Sequence, residues 1–393
     1  MPDTYTPQEM LARLVAFPTV SRDSNLALID FVRDYLAGHG VESRLVHNEE
    51  GTKANLYAQI GPAEPGGIIL SGHTDVVPVD GQPWSTDPFR LVERDDRLYG
   101  RGSCDMKGFD ALVLAAVPEM LAAPLKRPVQ IALSYDEEVG CLGAPSMIAE
   151  MRETLPPASA VVVGEPTEMR VVSRHKGVTG LQTHVLGYEV HSSLCHQGVS
   201  AVMTAARLIS WAAERMAENK AAAETGSDPV GQLFEPPYTT LHVGRIEGGT
   251  AHNITAKDCR FSMDIRSMPG ESQEAWIARY RAHCEEIAAE IRAVRPEAGI
   301  EVSIRSQAPG CRKEPEETAA AEHLARALTG DNGEHVVAYG TEAGQFQDAG
   351  YSAIICGPGS IEQAHQADEF ISKAQFAEGA RFVSRVIDRL AAA

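Results

Sequence analysis

No run of about 18 or more apolar residues occurs in this 393-residue chain, so nothing in it reads as a membrane-spanning helix. The opening residues, Met1-Pro2-Asp3-Thr4-Tyr5-Thr6-Pro7-Gln8-Glu9, carry neither a basic segment nor an apolar core. That predicts no secretory signal and a cytoplasmic location. The seven cysteines (104, 141, 195, 259, 284, 311 and 356) are scattered, odd in number and never spaced C-x-x-C. Such a pattern speaks against a disulfide framework and fits reduced thiols. Positive charge is scarce: 35 Lys and Arg face 54 Asp and Glu, a formal net charge of −19. So acidic a surface repels phosphate backbones and argues against nucleic acid as a partner, while it suits cationic small molecules and divalent metals. Internal repeats and low-complexity tracts are absent, and 44% hydrophobic with 23% charged residues is an ordinary globular balance. At this length two domains are expected.

What is present centres on residues 99–108, Y-G-R-G-S-C-D-M-K-G. Three glycines, a carboxylate (Asp105) and a lysine make this span too irregular for helix or strand. Gly100, Gly102 and Gly108 are expected to take backbone angles that a Cβ disfavours, letting the loop aim one side chain into a cleft. The apolar run 109–117 then predicts a buried helix. A glycine-rich turn with a solvated Asp and Lys is the plain alternative.

Apolar residues at helical spacing predict helices over 6–16, after a Thr-Pro start, and over 25–38. Residues 41–47 and 54–60 read as strands, and 67–70 as a buried strand that delivers His73 and Asp75 at its carboxyl end. A carboxylate two residues beyond a histidine can hold its second ring nitrogen and fix the tautomer. Residues 129–134 form another strand, ending in Asp136-Glu137-Glu138. Three adjacent acids there are costly unless cations neutralise them. A strand over 158–163 leads to Glu165, and one over 351–356 leads to a loop holding His365, before a last helix over 372–390. A structural histidine or a solvated acidic turn would explain any one of these alone. Strand after strand ending in an acid or a histidine instead predicts a single site at one edge of a mixed, largely parallel α/β sheet.

The texture changes between 177 and 307. Strands over 178–186, 241–246, 258–265 and 300–304 and helices over 198–217 and 274–294 predict an inserted α+β domain with a four-stranded antiparallel sheet and two helices. Gly226-Ser227-Asp228-Pro229 reads as loop within it. The catalytic α/β domain would then be discontinuous, 1–176 with 308–393.

Five candidate ligands, His73, Asp105, Glu138, Glu165 and His365, come from five loops. Mixed imidazole and carboxylate ligation suits zinc, cobalt or manganese. Five groups exceed the three that a single catalytic zinc takes and suit two ions about 3.5–4 Å apart sharing one carboxylate, with Glu137 or its neighbour free as a general base.

H-T-D at 73–75, G-R-G-S-C-D-M-K-G at 100–108, D-E-E at 136–138, G-E-P-T at 164–167 and A-H at 364–365 resemble, in order, the motifs of the M20 family of metal-dependent amidohydrolases and peptidases. Within it, segments 339–344 and 357–366 look most like the acetylornithine deacetylase subfamily, although Ala367 stands where that subfamily usually has proline. The resemblance implies two divalent ions, Zn2+ or Co2+. His73 and Glu165 would complete one, Glu138 and His365 the other, and Asp105 would bridge them. It also implies that Asp75 orients His73, that Glu137 is the base toward water, and that His191 of the inserted domain meets the developing oxyanion, with His196 second in line. Asn253 and Arg266 would hold the carbonyl or carboxylate of a small N-acyl amino acid, and the inserted domain would form a homodimer. Charge complementarity adds Glu342 as a partner for a substrate ammonium. Other acylases of the family, a dipeptidase, and a non-catalytic metal-dependent binding protein are the alternatives.

Overall fold

The first helix begins where its cap dictates. The Thr6 hydroxyl accepts from the Glu9 backbone N–H while the Glu9 carboxylate accepts from the Thr6 N–H, so two otherwise orphaned donors at the start of Pro7–Val15 are satisfied. The computed structural model describes residues 3–226 and 231–392; Ser227, Asp228 and Pro229 of the expected loop lie outside them. Two units emerge: Met1–Arg174 with Cys311–Val336 and Thr341–Ala393, and His175–Gly310 with Val337–Gly340. The inserted stretch is thus a few residues longer at each end than expected, and a second short segment joins it. No helix among the described residues is long and apolar enough to cross a membrane.

An eight-stranded sheet orders Ser43–His47, Ala54–Ile60, Val129–Ser134, Gly67–His73, Ala158–Pro166, Ala353–Gly357, Val172–His175 and His335–Val337. Its centre is parallel: Gly67–His73 lies between Val129–Ser134 and Ala158–Pro166, and Ala353–Gly357 follows, all four running the same way. The flanking pairs described are antiparallel. Three of these central strands are buried along their whole length, as parallel strands covered on both faces must be. Four carboxyl ends therefore meet at one edge, the place where open α/β sheets bind ligands. The strands overrun their expected ends, so His73 and Glu165 sit on the last strand residues and not in the loops beyond.

The helix Lys107–Ala115 packs so closely on the sheet that glycine is required opposite it. A Cβ on Gly164 would stand 2.1 Å from the Phe109 ring, and one on Gly72 would stand 2.1 Å from Asp110 Oδ1. A small antiparallel sheet of Val92–Arg94, Arg97–Tyr99 and Phe370–Ser372, not anticipated from the sequence, brings the entrance of the glycine-rich loop beside the residues that follow Glu369.

The second unit holds an antiparallel sheet ordered Thr240–Gly248, Asp258–Ser267, Gly177–Leu186, Gly299–Ala308. Burial along Gly177–Leu186 alternates strictly, with one face packed into a core that includes residues of the helices Ala201–Thr225 and Gln273–Val294. The first of these helices starts later and runs farther than expected, because Ser192–Gln197 forms a separate 3₁₀ turn and Ser200 caps the helix.

Candidate active site

The loop at 99–108 owes its shape to a residue that sequence reasoning passed over. Glu369 is buried, and its carboxylate accepts from the backbone N–H groups of Gly102 (3.0 Å), Cys104 (2.9 Å) and Asp105 (3.0 Å) and from Arg101 Nη1 (2.7 Å). Four donors on one acid bend the loop and present Asp105. Only one of its three glycines needs a left-handed backbone, Gly102 at φ +80°. Gly108 is required by closeness, since a Cβ there would lie 2.3 Å from the Ser103 carbonyl oxygen, and Gly100 by the side chain of Val15.

Asp105 stands between two groups of candidate ligands. Its Oδ1 is 3.0 Å from His73 Nε2, which in turn is 3.7 Å from Glu165 Oε1. Its Oδ2 is 3.3 Å from His365 Nε2, which is 2.9 Å from Glu138 Oε2. The ligand atoms of His73, Asp105 and Glu138 lie within 4.8 Å of one another, as do those of His73, Glu137 and Glu165. All six groups the sequence nominated for metal and base are thus brought together.

Their protonation is conflicted. Burial, then the charge of Asp105, pushes the Glu165 carboxyl well above the usual range. Burial raises Glu137 to about 8 and Glu138 to about 7. Hydrogen bonds donated to Asp105 and Glu138 lift His365 to about 10, and Asp105 and Asp75 lift His73 against the effect of its burial. Glu165 Oε1 is buried without a hydrogen-bond partner. Crowded acids that can ionise only at a cost, with one oxygen left unpaired, fit divalent cations, whose charge takes the place of the shared protons. The donor set, two imidazoles and three carboxylates without thiolate, suits zinc or cobalt.

Asp75 behaves differently from expectation. His73 Nδ1 is held by the backbone carbonyl of Asp75 at 2.9 Å, and the carboxylate stands farther off at 3.6 Å. That carboxylate instead accepts from Ser21 Oγ (2.6 Å) and the Glu137 N–H (3.1 Å), so it fixes the acidic loop as much as the imidazole. Glu342 is corrected more sharply. It is buried, and its two oxygens accept from the hydroxyls of Ser71 (3.3 Å) and Ser134, which precede the His73 and Asp136 ends of adjacent strands. A carboxyl so placed ties two strands together and presents no oxygen to a substrate ammonium.

In the second unit His191 is exposed, with Nδ1 2.8 Å from Ser193 Oγ. Asn253 is its neighbour: the Asn253 carbonyl accepts from the Ser192 N–H, and His191 bridges Ile254. Arg266 lies on a separate strand with its Nε on Asp264 (2.8 Å).

The fold recurs in an M20 family metallo-carboxypeptidase from Sulfolobus solfataricus, at TM-score 0.74 and 18% identity over 99% of this chain and 100% of that one. A dinuclear metal binding peptidase of the same family from Bacillus subtilis gives 0.62 and 15% over 98% and 97%. Fold and site together define a metal-dependent amidohydrolase. Residues 69–389 match the peptidase family M20/M25/M40. An acetylornithine deacetylase from Myxococcus xanthus is 36% identical over 373 residues, 92% of this chain and 91% of its own length. Another, from Pasteurella multocida, is 33% identical over 388 residues, 95% and 94% of the two chains. The chain belongs to the peptidase family M20/M25/M40.

Proposed function

We propose that the protein hydrolyses N2-acetyl-L-ornithine to L-ornithine and acetate in arginine biosynthesis. The observation that carries the metal chemistry is the division of Asp105, one oxygen toward His73 and Glu165 and the other toward His365 and Glu138. In this reading His73 and Glu165 hold one divalent ion, Glu138 and His365 the other, and Asp105 both; Zn2+ and Co2+ fit the donors equally. Such ions supply Lewis acidity, lowering the pKa of water and polarising a carbonyl. Glu137, beside His73 and Glu165, removes the proton from the attacking water and returns it to the leaving amine. His191 donates to the oxyanion, and Asn253 and Arg266 hold the carbonyl or carboxylate of the substrate. The acetylornithine preference is supported by relatives of that name at 32–36% identity across more than nine-tenths of the chain, and the acidic charge suits a substrate with a cationic side chain. Homodimerisation through the second unit and a cytoplasmic location belong to the same reading.

Amine release from N2-acetylornithine, other N-acetyl amino acids, N-succinyl-diaminopimelate and dipeptides, with and without chelator, tests it. Chelator-sensitive turnover of acetylornithine well above the rest is expected. Preference for another compound would keep the chemistry and overturn the substrate, and silence from metal-loaded protein would overturn both.

A further inference from the structure

One member of the constellation is held unlike the others. The side chains of His73, Asp105, Glu138 and Glu165 are 1–7% exposed, at strand ends, in the loop that Glu369 organises or, for Glu138, in the turn after Val129–Ser134, whereas that of His365 is 53% exposed. Its backbone sits in the left-handed region, at φ +63°, on the loop between Ala353–Gly357 and Phe370–Ser372. Residues with a Cβ adopt that region uncommonly. What surrounds it is a short relay. The Gln82 side-chain N–H donates to the His365 carbonyl oxygen at 2.8 Å. Gln82 Oε1 accepts from Arg101 Nη2 at 2.6 Å and from Trp84 Nε1 at 2.9 Å. Two donors on one end fix the orientation of the amide, so its N–H₂ must face the carbonyl. The Arg101 guanidinium lies over the Trp84 ring, 5.1 Å from its centroid, and its other terminal nitrogen is on Glu369, the acid that shapes the Asp105 loop. Ser85, on the same loop as Gln82, donates twice to Asp368 and keeps the two segments in register.

We propose that Gln82 is a positioning residue for the half of the metal centre that His365 completes. It connects the buried Arg101–Glu369 pair, which sets Asp105, to the backbone of the one exposed ligand, so that both sides of Glu138 are fixed from a common anchor. His73 and Glu165, carried on strand ends of the central sheet, do not draw on this relay. The proposal rests on the two-ion reading given above. Its consequence is selective: loss of the Gln82–His365 bond weakens one ion and leaves the other.

Two substitutions separate the causes. Gln82→Met keeps the length and removes both hydrogen-bonding ends. Gln82→Glu keeps an acceptor for Arg101 and Trp84 but sets an oxygen against the His365 carbonyl. Each variant, the wild type and a His365→Ala reference are stripped of metal and titrated with Co2+, following heat and visible absorption; thermal melts of the metal-free proteins confirm folding. The wild type is expected to take up two ions. In both Gln82 variants the ion whose absorption is lost in His365→Ala should bind about 10–100-fold more weakly, the scale for a group that orients a ligand, and the other ion within about twofold of the wild type. Unchanged affinity for both ions overturns the proposal, as does equal weakening of both. A wild-type-like Gln82→Glu also overturns it, because the carbonyl contact is then not the cause. Uptake of fewer than two ions by the wild type overturns the two-ion reading itself, before any variant is compared.

Discussion

Replacing Glu369 with alanine should destabilise the protein more than replacing Arg101, its partner in a buried ion pair. Both side chains are 1% exposed, so whichever charge survives is left out of water. Breaking such a pair by removing one member costs about 3–5 kcal/mol. The two halves are not equivalent here. Without Glu369, the guanidinium of Arg101 loses its counter-charge and the N–H groups of Gly102, Cys104 and Asp105 lose their acceptor as well. Without Arg101, the carboxylate still accepts from those three N–H groups and remains largely compensated. Glu369→Ala is therefore expected at the upper end of that range and Arg101→Ala about 1–3 kcal/mol below it, the scale of unsatisfied buried donors. Against a total stability of about 5–15 kcal/mol these are large fractions. Urea denaturation in excess chelator, read by circular dichroism, measures both without the contribution of bound ions. A loss under about 1 kcal/mol for Glu369→Ala, or a larger loss for Arg101→Ala, would refute the reasoning that one acid organises this loop.

Glu137→Gln should lower turnover by about 10²–10⁴ with metal uptake retained, since the amide keeps the shape of the base but takes no proton; loss of metal instead would make Glu137 a ligand. Burial pushes the Asp110 carboxyl up to about 8, with one oxygen buried and unpartnered. The native state then keeps a proton that the unfolded chain releases near pH 4, so this group makes stability fall as pH rises from about 4 to about 8. Asp110→Asn removes that fall: in excess chelator its urea midpoint relative to the wild type should be higher at pH 9 than at pH 5, and a constant difference would rule the shift out. Gly164→Ala would press a methyl into the Phe109 ring and should cost at least about 1–3 kcal/mol; a thermal melt unchanged within error would mean that helix and sheet are less tightly opposed.

Much of the site could be read from residue order, because strand periodicity is local. Apolar runs bounded by glycine or acids mark buried strands, and whatever follows them in the chain arrives at the sheet edge. That is why His73, Glu137, Glu138, Glu165 and His365 could be nominated before any contact was known, while Asp105 was marked by the glycines around it. The Thr-Pro start of the first helix and the antiparallel inserted sheet were legible for the same reason, being set within a few residues or by alternation alone; the reciprocal Glu9 contact that completes the cap was not read. Glu369 was not, because its partners are backbone N–H groups more than 260 residues earlier, and only an acid next to Asp368 marked it in the sequence. Glu342 looked available because its charge was visible and its burial was not. Asp75 was assigned its role by spacing, yet the carbonyl proved closer to His73 than the carboxylate. By itself the sequence determined the central parallel strands and the inserted sheet, which faces they bury and which reactive groups follow them. Which polar atom meets which was decided by the tertiary structure alone, since hydrogen bonds form over about 3 Å between groups whose separation along the chain carries no trace of that distance.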